Sequence, residues 1–78
     1  MKNSISEARE QLKIIKRYYE YAGENGYDQA LYYHGELGKI YTKANKNDQP
    51  IIHEFYKEAN TLMVEMKKWR DEFGKENQ

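Results

Sequence analysis

Apolar residues return every three or four positions along three stretches of this chain, a period that only an α-helix turns into one continuous face. The first stretch carries Ile5, Ala8, Leu12, Ile15, Tyr19 and Ala22. The second carries Ala30, Tyr33, Leu37, Ile40 and Ala44. The third carries Ile52, Phe55, Ala59, Leu62, Met66, Trp69 and Phe73. Two clusters of turn formers separate them, Gly23-Glu24-Asn25-Gly26 and Asn45-Lys46-Asn47-Asp48. Strand signals are missing, since the chain has one valine and no alternating β-branched run.

Helix ends follow from local chemistry. Ser4 and Glu7 have the spacing of a capping box, in which each side chain satisfies an amide of the first turn. Asp28 is placed to cap the second helix with Tyr27 packed just outside it, and Asp48 to cap the third. Pro50 falls in the first turn of the third helix, where a missing amide donor costs nothing. The expected helices span about 4–22, 28–44 and 49–73, with a frayed tail at 75–78. Both connections are short, so neighbouring helices run antiparallel. The expectation is one domain over 1–78, all-α, a small three-helix antiparallel bundle in up-down-up order with the third helix longest.

The segment Gly26-Tyr27-Asp28-Gln29-Ala30-Leu31-Tyr32-Tyr33 resembles the turn and second-helix start of a tetratricopeptide repeat. The resemblance covers about one helix and implies a helical hairpin around that turn. Arg17 and Tyr18 stand where the repeat would have leucine and glycine, and no second repeat of about 34 residues follows.

Seventy-eight residues give a core that is only just sufficient for folding. Leu, Ile, Val and Phe together stay below the roughly 20% that flags disorder in highly charged chains. Here 13 basic residues balance 13 acidic ones, and eight tyrosines replace aliphatic bulk with rings that carry a polar handle. Charge balance weighs against a dedicated nucleic-acid or anionic-membrane binder. No apolar run approaches the length of a membrane span, and Met1-Lys2-Asn3-Ser4 leads into a charged segment rather than a signal peptide. The absence of cysteine excludes a disulfide framework and suits a reducing compartment, so a cytoplasmic location is expected.

Catalytic and metal constellations are not visible. His34 and His53 lie on different helices, and His53-Glu54 lacks the second histidine that a zinc-binding helix requires four residues on. Ser4 and Ser6 read as helix-start residues, and Glu54 and Glu58 with Lys57 as a solvated face. Gly35 and Gly38 sit inside a helix and form no phosphate-cradling loop. The chain is expected to be no enzyme and to need no cofactor or metal.

What exceeds the needs of a bundle is apolar width. Ile14, Tyr18 and Tyr21 form a second stripe on helix one, widening its apolar arc to roughly 200°. Tyr27, Leu31 and Tyr41 widen that of helix two to roughly 180°. Helix three stays near 140°, with only Val64 outside. Leu31, Gly35, Gly38 and Thr42 add a row of mostly small residues on the side away from Leu37, which suggests close approach by another helix.

These features point to a protein–protein interaction module (a regulator, adaptor or inhibitor) that works through a Tyr-rich helical surface as a homodimer. The expected partner-binding residues are Ile14, Tyr18, Tyr21, Tyr27, Leu31, Gly35, Gly38, Tyr41 and Thr42. Abundant Lys, Asn, Glu, Tyr and Ile suits an AT-rich bacterial or phage genome. Two alternatives are a nucleic-acid-associated accessory protein and a structural subunit of a larger assembly. The first would use Lys13, Lys16, Arg17, Tyr18, Tyr19 and Tyr21 of helix one.

Overall fold

The computed structural model describes residues 3–74 and shows three helices: α1 Ser4–Tyr21, α2 Tyr27–Lys43 and α3 Gln49–Gly74. A 3-10 turn, Gly23–Gly26, joins α1 to α2, making the helical hairpin that the Gly26–Tyr33 segment implies. No strand occurs among the described residues. The expected frayed tail at 75–78 lies outside them.

Side-chain pairs fix the direction of each helix. Along α1 and α3, Arg9 meets Phe55, Lys16 meets Glu58 and Tyr19 meets Trp69, so both numbers rise together and the helices run parallel. Along α2 and α3, Tyr41 meets His53, His34 meets Asn60 and Asp28 meets Arg70, so one number falls as the other rises. The order is up-down-up, and the chain is a small all-α three-helix bundle.

Alanine lets the three backbones close on one another. Ala8, Leu12 and Ile15 of α1 face Ala30 and Leu37 of α2. Ile52, Ala59, Met63 and Met66 of α3 complete the core, and Ala44 seals the bottom of α2. The largest fully buried side chains are Ile15, Leu37, Ile52 and Met66. Around them lies a ring of half-buried residues, among them Tyr18, Tyr19, Tyr33, Tyr41, Tyr56 and Trp69. Met63 lies outside the expected α3 stripe. It is buried because α3 faces two helices at once, which needs a broader apolar face than one neighbour does.

The helix starts differ from the expected caps. The side chain of Asn3, not Ser4, caps α1: its carbonyl oxygen accepts from the Ser6 amide at 2.7 Å. The Glu7 amide donates to the Asn3 carbonyl at 3.1 Å. Asparagine is as good a cap as serine, and capping one residue earlier adds Ser4 to the helix. Tyr27 rather than Asp28 opens α2, with Gly26 before it and no side-chain cap. The Tyr27 ring is held against the core beneath Arg70, 4.4 Å from ring centre to guanidinium, and that packing draws Tyr27 into the helix. Asp28 becomes a first-turn acid, still favourable at the positive end of the helix dipole. Asp48 stands directly before α3 and its carbonyl accepts from Ile51 and Ile52. The Asn45 side chain accepts from the Asp48 amide at 2.9 Å and shapes that turn. Gln49 donates to the Tyr41 carbonyl at 3.1 Å, tying the start of α3 to the end of α2.

Two glycines make the first turn possible. Gly23 has φ +53°, the left-handed region that glycine enters without steric cost. A Cβ on Gly26 would lie 2.9 Å from that of Ala22 and 3.1 Å from that of Tyr18, too close for any side chain.

The far end of α3 corrects a second expectation. Trp69 packs on the core with its ring 5.2 Å from that of Tyr19, but Phe73 is 48% exposed. With 26 residues α3 is about 39 Å long, against about 27 Å for α1. Arg70 already meets the first turn of α2, so the turn carrying Phe73 runs past the bundle. Urea denaturation should therefore separate the two aromatics. Trp69→Ala is expected to cost about 2–3 kcal/mol, below the value for a fully buried aromatic, and Phe73→Ala under about 1 kcal/mol. Asn3→Ala should cost about 1 kcal/mol, and Ser4→Ala much less.

Candidate interaction surface

Several of the polar side chains capable of chemistry bridge two helices or bond within their own. His34 donates from Nε2 to the Asn60 side-chain carbonyl and lies 4.7 Å, ring to ring, from Tyr56. His53 lies 5.9 Å from the Tyr41 ring. Both histidines thus belong to the seam between α2 and α3. Thr42 and Thr61 donate to the carbonyls of Gly38 and Lys57 one turn back on their own helices. Glu58 pairs with Lys16 at 3.0 Å and Glu54 with Lys57 at 3.7 Å. Among the described residues no three His, Asp or Glu side chains gather where they could hold a metal ion.

The nine residues expected to meet a partner fall into three places. Ile14, Tyr18 and Tyr21 share α1 and, with Arg17 and Ala22, line a shallow cleft of about 350 Å³. Tyr18 is half-buried there and stacks on Tyr33 of α2 at 6.0 Å, while Tyr21 is 84% exposed. Tyr27 sits at the start of α2, packed inward under Arg70. Leu31, Gly35, Gly38, Tyr41 and Thr42 lie along α2, the last four of them facing a groove shared with His53 and Tyr56 of α3.

Gly35, Gly38, Tyr41 and Thr42 of this third group line an open groove of about 660 Å³ between α2 and α3. Its floor is Gly35, Gly38 and Thr42, and its walls are Tyr41, His53 and Tyr56. Lys39 and Lys43 stand on the outer rim. Gly38 is half-buried: a Cβ there would meet the Tyr56 ring at 3.5 Å, an ordinary contact. Gly35 is different, because a Cβ there would meet nothing within 4 Å. Leu31, one turn before Gly35, is 46% exposed, and Tyr32 beside it is 64% exposed.

His53, Tyr56, Tyr32 and the two lysines were not among the expected contact residues. A signal for the wall residues exists, since His53 and Tyr56 are three apart and so share one face of α3. Which side of α2 that face meets depends on the handedness of the bundle, which the periodicity does not carry.

The Lys/Tyr face of α1 is partly consumed by the fold. Lys16 pairs with Glu58, Tyr18 stacks on Tyr33, and the Tyr19 hydroxyl donates to the Glu65 carboxylate. Lys13, Arg17 and Tyr21 remain on the exposed side. No described helix is long and apolar enough to cross a membrane. No family model, curated protein or solved structure matches this chain.

The hydrogen bond to Glu65, aided by desolvation and by the carboxylate's charge, raises the Tyr19 pKa above its ordinary value. A raised folded-state pKa means that folding favours the neutral phenol. The resulting stabilisation is complete below the ordinary tyrosine value of about 10 and is lost as pH rises through the raised one. Alkaline unfolding curves should therefore fall faster for the native chain than for Tyr19→Phe. The variant should be the less stable at neutral pH, and phenolate absorbance should show one fewer late-titrating tyrosine.

Proposed function

We propose that the chain is a non-catalytic protein–protein interaction module, a small regulator, adaptor or inhibitor, which works as a homodimer in a reducing cytoplasm. Lack of cysteine and the balance of charge support the compartment and the kind of partner. The observation that carries the reading is Gly35. A glycine inside a helix costs about 1 kcal/mol against alanine, a large sum for a domain this small. Among the described residues, none beyond the neighbouring turns of its own helix comes within 4 Å of where a Cβ on Gly35 would stand. Bare backbone at that point admits a second helix to close range, and Leu31, Tyr32 and the aromatic-walled groove surround it with surface suited to burial.

The AT-rich codon bias implied by the composition suits a bacterial or phage source, where such a module would act on a larger target.

Sedimentation equilibrium should show a dimer at micromolar concentration. Gly35→Leu should weaken association while leaving the helical circular-dichroism signal intact. In the dissociated chain Gly35→Ala should raise stability by about 0.5–1 kcal/mol, because the only change there is lost backbone freedom in the unfolded state. Gly38→Leu is a poorer probe, since its side chain also meets Tyr56. Gly35 variants that are more stable and associate as the native chain does would exclude this face. Fluorescence anisotropy with single- and double-stranded oligonucleotides should show no salt-dependent binding, which the α1 alternative requires.

A further inference from the structure

One half of α2 carries what the other half lacks. Its first two turns present an acid and two exposed apolar side chains, Asp28, Leu31 and Tyr32. Its last two turns present an open groove, floored by Gly38 and Thr42, with Lys39 and Lys43 on the rim. No acidic residue lines that groove. Lys39 reaches only its own neighbour Glu36, at 3.5 Å on the surface.

Helical spacing sorts these residues into two rows. Leu31, Gly35, Gly38 and Thr42 form the row beside the groove, and Asp28, Tyr32, Lys39 and Lys43 form the flanking row farther round the helix, where Asp28 also meets Arg70 of α3 and the two lysines edge the groove. In a two-fold antiparallel pair of helices, like flanks meet like flanks, and each residue of one helix faces its counterpart reflected through the centre. Centred between Gly35 and Gly38, the dyad sets Gly35 opposite Gly38 of the second copy and Leu31 opposite Thr42. Leu31 then enters the groove of the second copy, beside its aromatic wall. On the flank, Tyr32 comes beside Lys39, and Asp28 comes within a turn of Lys43.

Resting on the homodimer reading above, we propose that the occupant of the groove is a second copy of this chain, with α2 packed antiparallel on α2 across a two-fold axis so that Leu31 fills the partner groove and Asp28 pairs with Lys43. The pairing covers the exposed Leu31 and Tyr32 twice over and joins opposite charges at both ends of the contact. It also uses the one helix in which two interior glycines keep the backbone accessible. A parallel two-fold pair would instead set this flanking row of the two copies on opposite sides of the seam and leave Asp28 and Lys43 of each copy without a facing partner of opposite charge.

A charge-swap experiment with the full chain tests the pairing. In D28K both partners present lysine at 28 and 43, and in K43E both present acids, so each variant alone should dimerise about tenfold more weakly. An equimolar mixture of the two restores Lys–Asp and Lys–Glu pairs at both ends and should recover the native dissociation constant, read by energy transfer between labelled chains. Asp28 also touches Arg70 on the surface, so circular dichroism must first show both variants folded. Leu31→Ala supplies a second measurement that leaves the core untouched, and it should weaken the dimer at least several-fold. A native dimer insensitive to all three substitutions, or folded variants whose mixture fails to recover, overturns the α2 pairing and leaves the interaction module standing. A native chain that stays monomeric at every concentration overturns both.

Discussion

Close approach of the three helices along their alanines is the constraint on which the rest of the molecule depends. Ala8, Ala30, Ala44 and Ala59 are all buried, and only Ile15, Leu37, Ile52 and Met66 stand as large side chains wholly out of water. With so little aliphatic material, the backbones must come near enough for those four to touch. Larger residues on the seams would force the helices apart and leave voids that a core of this size could not tolerate. The tyrosines follow from the same constraint. Six of the eight are half-buried around the core, supplying ring area at the edge while their hydroxyls reach water or a polar partner. Tyr19 shows the arrangement most fully, with its ring against Trp69 and its hydroxyl on Glu65.

That edge role explains why part of the apparent surplus on the helix wheels is not free surface. Tyr18, Tyr27 and Tyr41 lie beside the main stripes and widen them on paper, yet each packs against its own core. A wheel measures the arc of apolar residues without their reach. A tyrosine at the margin of an arc can lean inward, because its long side chain spans the gap that a shorter residue would leave. The large apolar side chains that do remain exposed are Tyr21 on α1, Leu31 and Tyr32 beside the glycine row on α2, and Ile51, Val64 and Phe73 on α3.

Fold and register were legible in the sequence to different degrees. The stripes of α1 and α2 named the buried Ala8, Leu12, Ile15, Ala30 and Leu37, because period 3.6 is a property of the helix itself. The turns were legible too, since Gly23 takes a left-handed φ that side chains disfavour and Gly26 has no room for a Cβ. Caps were not, because Asn3 and Ser4 are chemically equivalent candidates one residue apart and tertiary packing of Tyr27 decides the start of α2. Phe73 continues the α3 pattern without being buried, since periodicity reports which face a residue is on and not whether a neighbour extends that far. The groove depended on the same missing information. Its floor could be read as a row of small residues on one helix, whereas its walls come from another helix whose side of approach is a tertiary fact.

The two interior glycines of α2 are best understood together with the thinness of the core. A domain with ample hydrophobic area could carry two such residues without consequence, whereas here each removes a sizeable share of a small margin. Gly38 has an internal neighbour, the Tyr56 ring, although that contact would accommodate a methyl group. Gly35 has none. The cost therefore falls on the folded single chain without any return inside it, while a neighbouring helix at close range would gain contact area that a side chain at 35 would deny. The same backbone exposure that weakens α2 in isolation would, in the proposed dimer, let another helix reach it. In the proposed dimer, folding and association would be coupled through this one element, since a partner seated on α2 would stabilise the bundle by mass action.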